Sequence, residues 1–322
     1  MWQSVKQRIK EKVWTISGNS AINEKLDLIL SRGMQEQALA SHPAGPPTED
    51  LGFQVGRARQ EGAASMLAAA EEEAWFGVKF NGVDLHLPKY TLLTMYHCLH
   101  FPEKSRPVLL VETAHWNKLK SWLEDGTVFL DVGAATGAMC VPFDLSVDKN
   151  IRIAAFEPSR RTRGFLEKTV ARNQCRRIEV YPYALSGEDG TQQFAELPMD
   201  PNGQCPFLPE RSHLSFDGDN LVPEGTDLYS VSVRTLDSLQ GELKLAEASK
   251  LVVKIDVEGF EADVLRGARQ ITEQHRPVFA IDIHLKPGQK TIDTEQDVRD
   301  VLAPFNYKFE RLNHVLLVTP LA

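Results

Sequence analysis

Five ionisable residues stand at the ends of two apolar runs late in the chain. Lys254, Asp256 and Glu258 are two residues apart, and Asp282 and His284 repeat that spacing at the next run. Residues two apart on a β-strand project from the same face, so each set converges on one side of its strand. Carboxylates and an imidazole at neighbouring strand ends are common components of an acid/base site. The alternative is a structural ion network, for example between Lys254 and Asp282.

A glycine-containing loop earlier in the chain predicts a binding site of a different kind. Gly133 and Gly137 follow the apolar run that contains Asp131, and glycines let a backbone turn sharply where a ligand approaches. Their spacing fits neither a P-loop nor the dinucleotide-binding fingerprint, so a pyrophosphate site is disfavoured. An acidic residue at the start of the loop suits a cationic or hydroxyl-bearing ligand. A tight turn that binds nothing is the alternative.

Glu157, at the end of the following apolar run, is the expected partner of that loop. Its carboxylate can accept two hydrogen bonds from a ribose diol if the two strands are adjacent and parallel. Glu157 could instead cap the helix predicted to begin near Ser159, because acidic groups stabilise helix N-termini. Together with the loop after Asp131, it predicts a nucleoside-binding site.

These residues need a sheet that brings strand ends together. From residue 107 onward, apolar runs of strand length alternate with helical patterns, and continuous runs such as Leu251–Val253 indicate strands buried on both faces. We therefore predict an α/β fold with a doubly wound, mostly parallel sheet, whose ligands bind beyond the carboxyl ends of the strands. The predicted strands are Val128–Val132, Ile151–Phe156, Ile178–Tyr183, Val231–Arg234, Leu251–Val257 and Val278–Ile283, with a closing hairpin of Tyr307–Leu312 and Val315–Val318.

The chain divides into three predicted regions: a helical N-terminal extension and linker (1–45), an accessory helix and hairpin region (46–106) with the helix at Ala58–Ala74, and the α/β domain (107–322). The proline-rich stretch Ser41–Pro47 predicts the linker, because it cannot continue a helix or a strand. Asn81-Gly82, between two apolar runs, predicts a hairpin turn.

The first 40 residues have helical spacing of apolar positions, together with Trp2, Trp14 and a short basic run. Such a helix could rest on the inner face of an anionic membrane. It could also pack on its own protein or on a second subunit, which the shortness of the basic run favours.

Composition excludes several classes of protein. The 322 residues carry a formal charge of −8, which disfavours sequence-independent nucleic-acid binding. No apolar run approaches the roughly 18–20 residues that span a bilayer, and the first residues lack the pattern of a secretory signal. The four cysteines include no CxxC pair, which argues against a disulfide scaffold or a zinc knuckle. We therefore expect a cytoplasmic protein.

The motifs occur in the order found in the FkbM-type methyltransferase family, which the sequence resembles over roughly residues 107–320. The matching stretches are Asp131–Gly137, Phe156–Pro158, Asn173, Ala184–Ser186, Thr235–Asp237, Lys254–Gly259 and Leu265–Gly267. The block Lys254–Gly259 is the most specific of these. The family usually has Asn where Ala135 stands, and often Glu where Asp282 stands.

The resemblance implies a seven-stranded Rossmann-like sheet with its last strand antiparallel, and S-adenosylmethionine as methyl donor. It places Asp131, Gly133 and Gly137 along the methionine part of the cofactor, Glu157 at the ribose, and the Tyr183-Ala184 backbone beside the adenine. The expected cofactor-binding residues are Asp131, Gly133, Ala134, Gly137, Glu157, Pro158, Tyr183 and Ala184.

Methyl transfer to a hydroxyl requires alignment of the acceptor and removal of its proton. We expect His284 or Asp256 to be the base, Glu258 to orient the acceptor, and Lys254 to keep the carboxylates ionised or to stabilise the developing oxyanion. No metal is predicted, although Asp256, Glu258 and Asp282 could together ligate a divalent ion.

The expected activity is O-methylation of a saccharide, glycolipid or natural-product hydroxyl, as the resemblance implies. Methylation of nitrogen is one alternative, and a non-catalytic cofactor-binding protein that recruits an assembly through its first 105 residues is another. The irregular segment Leu197–Thr226 predicts either a lid on the acceptor side or a passive surface insertion.

Overall fold

The computed structural model describes residues 74–94, 99–100, 108–109, 113–196, 213–214, 225–284 and 291–321. The helices predicted within residues 1–40, the linker Ser41–Pro47, and a predicted helix Ala58–Ala74 except for its last residue lie outside the described residues, as does most of Leu197–Thr226. None of the described helices is long and apolar enough to cross a membrane.

The described part of the chain alternates strands and short helices. The strands are β1 (Trp75–Phe80), β2 (Val83–Pro88), β3 (Leu99–His100), β4 (Val108–Leu109), β5 (Thr127–Val132), β6 (Arg152–Phe156), β7 (Ile178–Tyr181), β8 (Ala184–Leu185), β9 (Gly190–Glu196), β10 (His213–Leu214), β11 (Asp227–Arg234), β12 (Lys250–Ile255), β13 (Val278–Asp282), β14 (Tyr307–Leu312) and β15 (Val315–Pro320). The α-helices are α1 (Lys89–Thr94), α2 (Thr113–Trp122), α3 (Cys140–Ser146), α4 (Arg160–Arg172), α5 (Glu261–Arg266), α6 (Arg269–His275) and α7 (Thr291–Leu302).

The largest sheet confirms the predicted fold class. Its seven strands run in the order β14-β15-β13-β12-β5-β6-β7, and β15 is antiparallel to both of its neighbours. The central strands β12, β5 and β6 pair in parallel. The connections leave this centre in opposite directions, because β6 lies on one side of β5 and β12 on the other. Such a reversal opens a crevice at the carboxyl ends of β5 and β12.

Burial on both faces follows from the apolar runs. Phe129 and Val252 belong to the core on one side of the sheet, whereas their neighbours Leu130 and Val253 belong to the core on the other. All four side chains are fully buried. The central strands therefore hold the crevice on a rigid support with helices on both sides.

The strand predicted at Val231–Arg234 does not join this sheet. It is part of the longer β11, which pairs with β9 and β8 in a separate four-stranded sheet of order β10-β9-β11-β8. Side chains along β11 alternate between exposed and buried. That alternation is typical of a sheet with one solvent face, unlike the continuous burial of β12.

Three predicted strands end earlier than expected, and the one predicted to reach Ile283 does so by a single residue, at Asp282. The strand predicted to reach Tyr183 ends at Tyr181, and the one predicted to reach Val257 ends at Ile255. Asp256 and Glu258 therefore lie in a loop, and Glu258 adopts the left-handed region with φ of 52°. The alternation of side chains between the two faces of a β-strand therefore does not determine where the side chains of Asp256 and Glu258 point.

The predicted N-terminal hairpin is confirmed as β1 and β2. Asn81 (φ 44°) and Gly82 (φ 88°) form its turn, as the Asn-Gly pair predicts. The side-chain amide of Asn173 at the end of α4 bonds to both backbone polar groups of His86, at 2.7 and 2.8 Å. The Asn173 side chain thus bonds to the His86 backbone as a neighbouring strand would, and it fixes the hairpin against α4.

Candidate functional site

The crevice at the ends of β5 and β12 contains both groups of residues singled out in the sequence. We call the loop Gly133–Gly137 together with Glu157 the glycine-loop half. We call Lys254, Asp256, Glu258, Asp282 and His284 the charged half. The two halves meet where the amide of Asp256 donates to the carbonyl of Val132 at 3.0 Å.

Gly133 is required at this junction for a steric reason. Its φ of 75° disfavours any L side chain, and a Cβ added there would lie 1.8 Å from the carbonyl oxygen of Asp256. Its amide and that of Ala134 both donate to the carbonyl of Phe156, at 3.1 and 3.0 Å. The loop is thus held by main-chain hydrogen bonds to the end of β6.

Glu157 ties the loop to the start of α4. One carboxylate oxygen accepts from the amide of Ala135 at 2.9 Å, and the other accepts from the amide of Ser159 at 2.8 Å. Burial raises the pKa of Glu157 to about 7, although both amide hydrogen bonds oppose the shift. Glu157 therefore holds the N-cap residue of α4, close to the capping alternative considered in the sequence, and it also holds the glycine loop.

The glycine-loop half has a fully connected outer support. The Ser159 hydroxyl caps α4 by accepting from the amide of Thr162, and it donates to buried Glu196 at 2.5 Å. The second carboxylate oxygen of Glu196 accepts from the Tyr229 hydroxyl at 2.8 Å. The four-stranded sheet β10-β9-β11-β8 thereby anchors the start of α4, which Glu157 contacts.

Lys254 is the central cation of the charged half. Its Nζ lies 3.3 Å from Asp131 and 3.2 Å from Asp256, and it donates to the Gly133 carbonyl at 2.7 Å. Burial alone would lower the pKa of Lys254, but the two carboxylates raise it well above its usual value. Lys254 therefore stays protonated and links the charged half to the glycine loop. Asp131, which the sequence places at the loop, is fully buried in this contact.

His284 gathers the remaining carboxylates around one imidazole. Its Nε2 lies 3.7 Å from both Asp256 and Glu258, and its Nδ1 donates to Glu261 at 3.0 Å. Burial would lower the pKa of His284, but the Glu261 hydrogen bond and the charges of Asp256, Glu258 and Asp282 together raise it to about 10. The structure thus brings Asp256, Glu258 and His284 together despite the early end of β12.

Asp282 is placed differently from the ion network considered in the sequence. Its carboxylate lies 3.2 Å from Nε2 of His314, in the turn of the β14–β15 hairpin, whereas Lys254 pairs with Asp131 and Asp256. One oxygen of Asp282 nevertheless remains within 4.8 Å of ligand atoms from Asp256 and His284. Asp282 therefore belongs to the charged half by position.

An aromatic strip follows the glycine-loop half along β6 and β7. Phe156 stacks on Tyr181 with ring centroids 5.1 Å apart, and Tyr181 lies 6.2 Å from Tyr183. The Arg234 guanidinium stands 5.6 Å from the Tyr183 ring. Ala184, in β8, is buried. Phe156 and Tyr181 are buried in the core, so the partly exposed ring of Tyr183 is the member of this strip that suits a planar heterocycle.

Glu261 is a residue that sequence reasoning missed. It is fully buried at the start of α5, and the oxygen that contacts His284 also accepts from the amide of Gly259 at 3.0 Å. A carboxylate in the first turn of a helix is ordinarily explained by the helix dipole. The available signal was its place three residues after Glu258, but its partner His284 comes from a different strand.

The hydrogen-bond acceptors of the glycine-loop half fit the hydroxyls of a ribose. A carboxylate offers about four lone-pair positions, and the two backbone amides use one on each oxygen of Glu157. The remaining positions can accept hydroxyl protons from a diol.

A family model described as the methyltransferase FkbM domain matches residues 131–309. Among solved structures, the methyltransferase FkbM from Methylobacillus flagellatus KT is 17% identical with a TM-score of 0.43, covering 81% of this chain and 59% of that one. A precorrin-6y C5,15-methyltransferase from Geobacter metallireducens GS-15 is 13% identical with a TM-score of 0.36, covering 68% and 90%. An S-adenosylmethionine-dependent O-methyltransferase from Thermotoga maritima is 11% identical with a TM-score of 0.33, covering 66% and 67%. No curated protein matches the chain at a significant level.

Proposed function

The chain belongs to the FkbM methyltransferase family, and from this premise we propose that it transfers a methyl group from S-adenosylmethionine to a hydroxyl oxygen of a saccharide, glycolipid or natural product. The observation that carries the proposal is the meeting of the two halves at one crevice. A loop and carboxylate suited to a nucleoside lie directly beside carboxylates and an imidazole suited to proton transfer.

The glycine-loop half would hold the cofactor. Glu157 would accept hydrogen bonds from the ribose hydroxyls, with Pro158 beside it, and the Gly133, Ala134 and Gly137 backbone would border the methionine part. The aromatic side of Tyr183 and the Tyr183-Ala184 backbone would contact the adenine. When bound, S-adenosylmethionine supplies an electrophilic methyl group on a sulfonium.

Asp131 supports this site through Lys254. Because Asp131 is fully buried and pairs with Lys254 at 3.3 Å, it fixes the lysine that donates to the Gly133 carbonyl. We therefore assign Asp131 to positioning the loop.

The charged half would take the proton of the acceptor hydroxyl. Lys254 holds one oxygen of Asp256 at 3.2 Å, while the other oxygen lies 3.7 Å from Nε2 of His284. We assign Asp256 as the first proton acceptor, since its carboxylate is oriented by a permanent cation. Glu258 and His284 would orient the acceptor, since Glu258 and Asp256 both lie 3.7 Å from Nε2 of His284. A positioned base contributes roughly 10²–10⁴-fold to such a transfer.

The test is transfer of label from methyl-labelled S-adenosylmethionine. The purified full chain is incubated with fractions of a cell lysate and with defined saccharides and glycolipids, and labelled products are identified by mass spectrometry and NMR. We expect a new methyl ether. Asp256→Asn should lower the rate by roughly 10²–10⁴-fold while binding S-adenosylhomocysteine normally. Asp148→Asn, at an exposed site, is the matched control.

Three results would contradict the proposal or one of its assignments. A labelled amine would establish methylation of nitrogen, and undiminished transfer by Asp256→Asn would remove that residue from the mechanism. Cofactor binding without transfer to any fraction would favour a recruitment protein.

A further inference from the structure

We propose that Asp256, Asp282 and His284 form a binding site for a divalent cation. One ligand atom from each residue, two carboxylate oxygens and an imidazole nitrogen, lies within 4.8 Å of the other two. Carboxylate oxygens suit Mg²⁺ and Mn²⁺, and an imidazole is compatible with Mn²⁺. The inference rests on the proposed function and revises one role in it: with the cation bound, Asp256 acts as its ligand, and the acceptor proton would pass to Glu258, which lies outside the ligand set.

The distances favour a shared ion over direct bonding. Nε2 of His284 lies 3.7 Å from Asp256, which is too long for a hydrogen bond. Two ligands that each bind one ion at about 2.1 Å are about 3 Å apart when their bonds are at right angles. A small movement of the side chains would therefore complete the coordination.

Each candidate ligand is also held from outside the site. Lys254 contacts one oxygen of Asp256 at 3.2 Å, His314 contacts Asp282 at 3.2 Å, and Glu261 accepts from Nδ1 of His284 at 3.0 Å. Metal-binding histidines ordinarily donate their other ring N–H to a carboxylate or carbonyl, and ligating carboxylates have hydrogen-bond partners of their own. The three outer contacts reproduce that arrangement.

Glu261, which lies behind His284, provides a second observation about this site. Its side chain is fully buried and reaches into the cluster at His284, and its second oxygen has no hydrogen-bond partner within the described ranges. An unsatisfied buried carboxylate oxygen is costly. A divalent cation on Nε2 of His284 would replace the proton that the surrounding carboxylates favour there, and would add positive charge on the side of the imidazole opposite Glu261.

The experiment measures binding of MnCl₂ to the full chain without cofactor or acceptor. Isothermal titration calorimetry and electron paramagnetic resonance of free Mn²⁺ should show one saturable site from which MgCl₂ displaces the ion. Asp282→Asn and His284→Ala should each abolish the saturable binding, and Asp148→Asn should leave it unchanged. Glu261→Gln should weaken it by roughly 10–100-fold, as expected for an outer partner.

The opposing arrangement is an ion network around a protonated His284. It predicts no saturable site in the wild-type chain, and that result would overturn the inference. Mn²⁺ binding of equal strength in Asp282→Asn and His284→Ala would overturn it as well. Circular dichroism melting of each variant establishes that the comparison uses folded protein. Methyl transfer that continues undiminished in EDTA would reject the cation while leaving the methyltransferase proposal intact.

Discussion

The two halves of the crevice are stabilised by different kinds of contact. The glycine-loop half is held by backbone amides, which bond to the Phe156 carbonyl and to Glu157. The charged half is held by side chains, with Lys254 and His284 each surrounded by carboxylates. One half therefore depends on backbone conformation, and the other depends on the number and sign of its charges.

This difference separates the effects that substitutions should have. A change of backbone freedom in the glycine-loop half should disturb folding and cofactor binding together. A change of charge at Asp256 or Glu258, the partly exposed carboxylates of the charged half, should disturb chemistry or cation binding more than the fold. The junction at Gly133 is the exception, because it joins the two halves.

The largest effect is expected from Gly133→Ala. The new Cβ would meet the Asp256 carbonyl at 1.8 Å in a conformation that L residues avoid, so backbone must move in both halves. We expect a loss of about 4 kcal/mol or more in the free energy of unfolding, together with loss of cofactor binding. Urea denaturation and calorimetry with S-adenosylhomocysteine measure the two.

Gly164→Ala is the matched control. Gly164 lies within α4, and an added Cβ meets nothing within 4 Å. This substitution should stabilise the protein by about 0.5–1 kcal/mol. If Gly133→Ala and Gly164→Ala had the same free energy of unfolding and the same affinity for S-adenosylhomocysteine, the idea that Gly133 joins the two halves would be contradicted.

The sequence predicted the central sheet and the positions of both halves because continuous burial and strand-end polarity are local signals. Val128–Val132 and Leu251–Val253 are apolar at every position or nearly so, and the structure buries both of their faces. The four-stranded sheet that contains β11 was missed. Its signal was present, because Tyr229, Val231 and Val233 alternate with serines, as in a strand with one solvent face.

Other features of the site could not be predicted from local patterns. Glu258 is a non-glycine residue with positive φ, and no propensity rule assigns that conformation to glutamate. Glu261 contacts His284 across 23 positions of sequence, so only the packing of α5 beside β13 reveals the pair. The assignment of individual site residues to cofactor and acceptor stays a prediction, as does the division of the chain at residues 45 and 106.

Glu157 provides a pH-dependent test of the glycine-loop half. With a pKa of about 7, Glu157 is mostly protonated at pH 6 and mostly ionised at pH 8. If the ionised form accepts the ribose hydroxyls, affinity for S-adenosylhomocysteine should fall about 10-fold from pH 8 to pH 6. The raised pKa also means that the free energy of unfolding should decrease as pH rises from about 4.5 to about 7.

Glu157→Gln is the companion variant for both measurements. It should bind the ligand weakly at both pH values and lose the pH dependence contributed by residue 157, because the amide does not titrate. Affinity that is unchanged between pH 6 and pH 8 in the wild-type chain would contradict a role for the ionised carboxylate.

The smallest effect is expected from Ala135→Asn, which tests whether the glycine-loop half carries avoidable backbone strain. Ala135 has φ of 48°, a region in which asparagine is tolerated better than alanine. The substitution should raise the free energy of unfolding by about 0.5 kcal/mol. Exposed Gln174, with φ of 55°, lies outside the crevice, so Gln174→Asn should stabilise the fold similarly. Only Ala135→Asn should also alter affinity for S-adenosylhomocysteine, because residue 135 bonds to Glu157 through its amide. An equal change of affinity in both variants would contradict the separate role of this half.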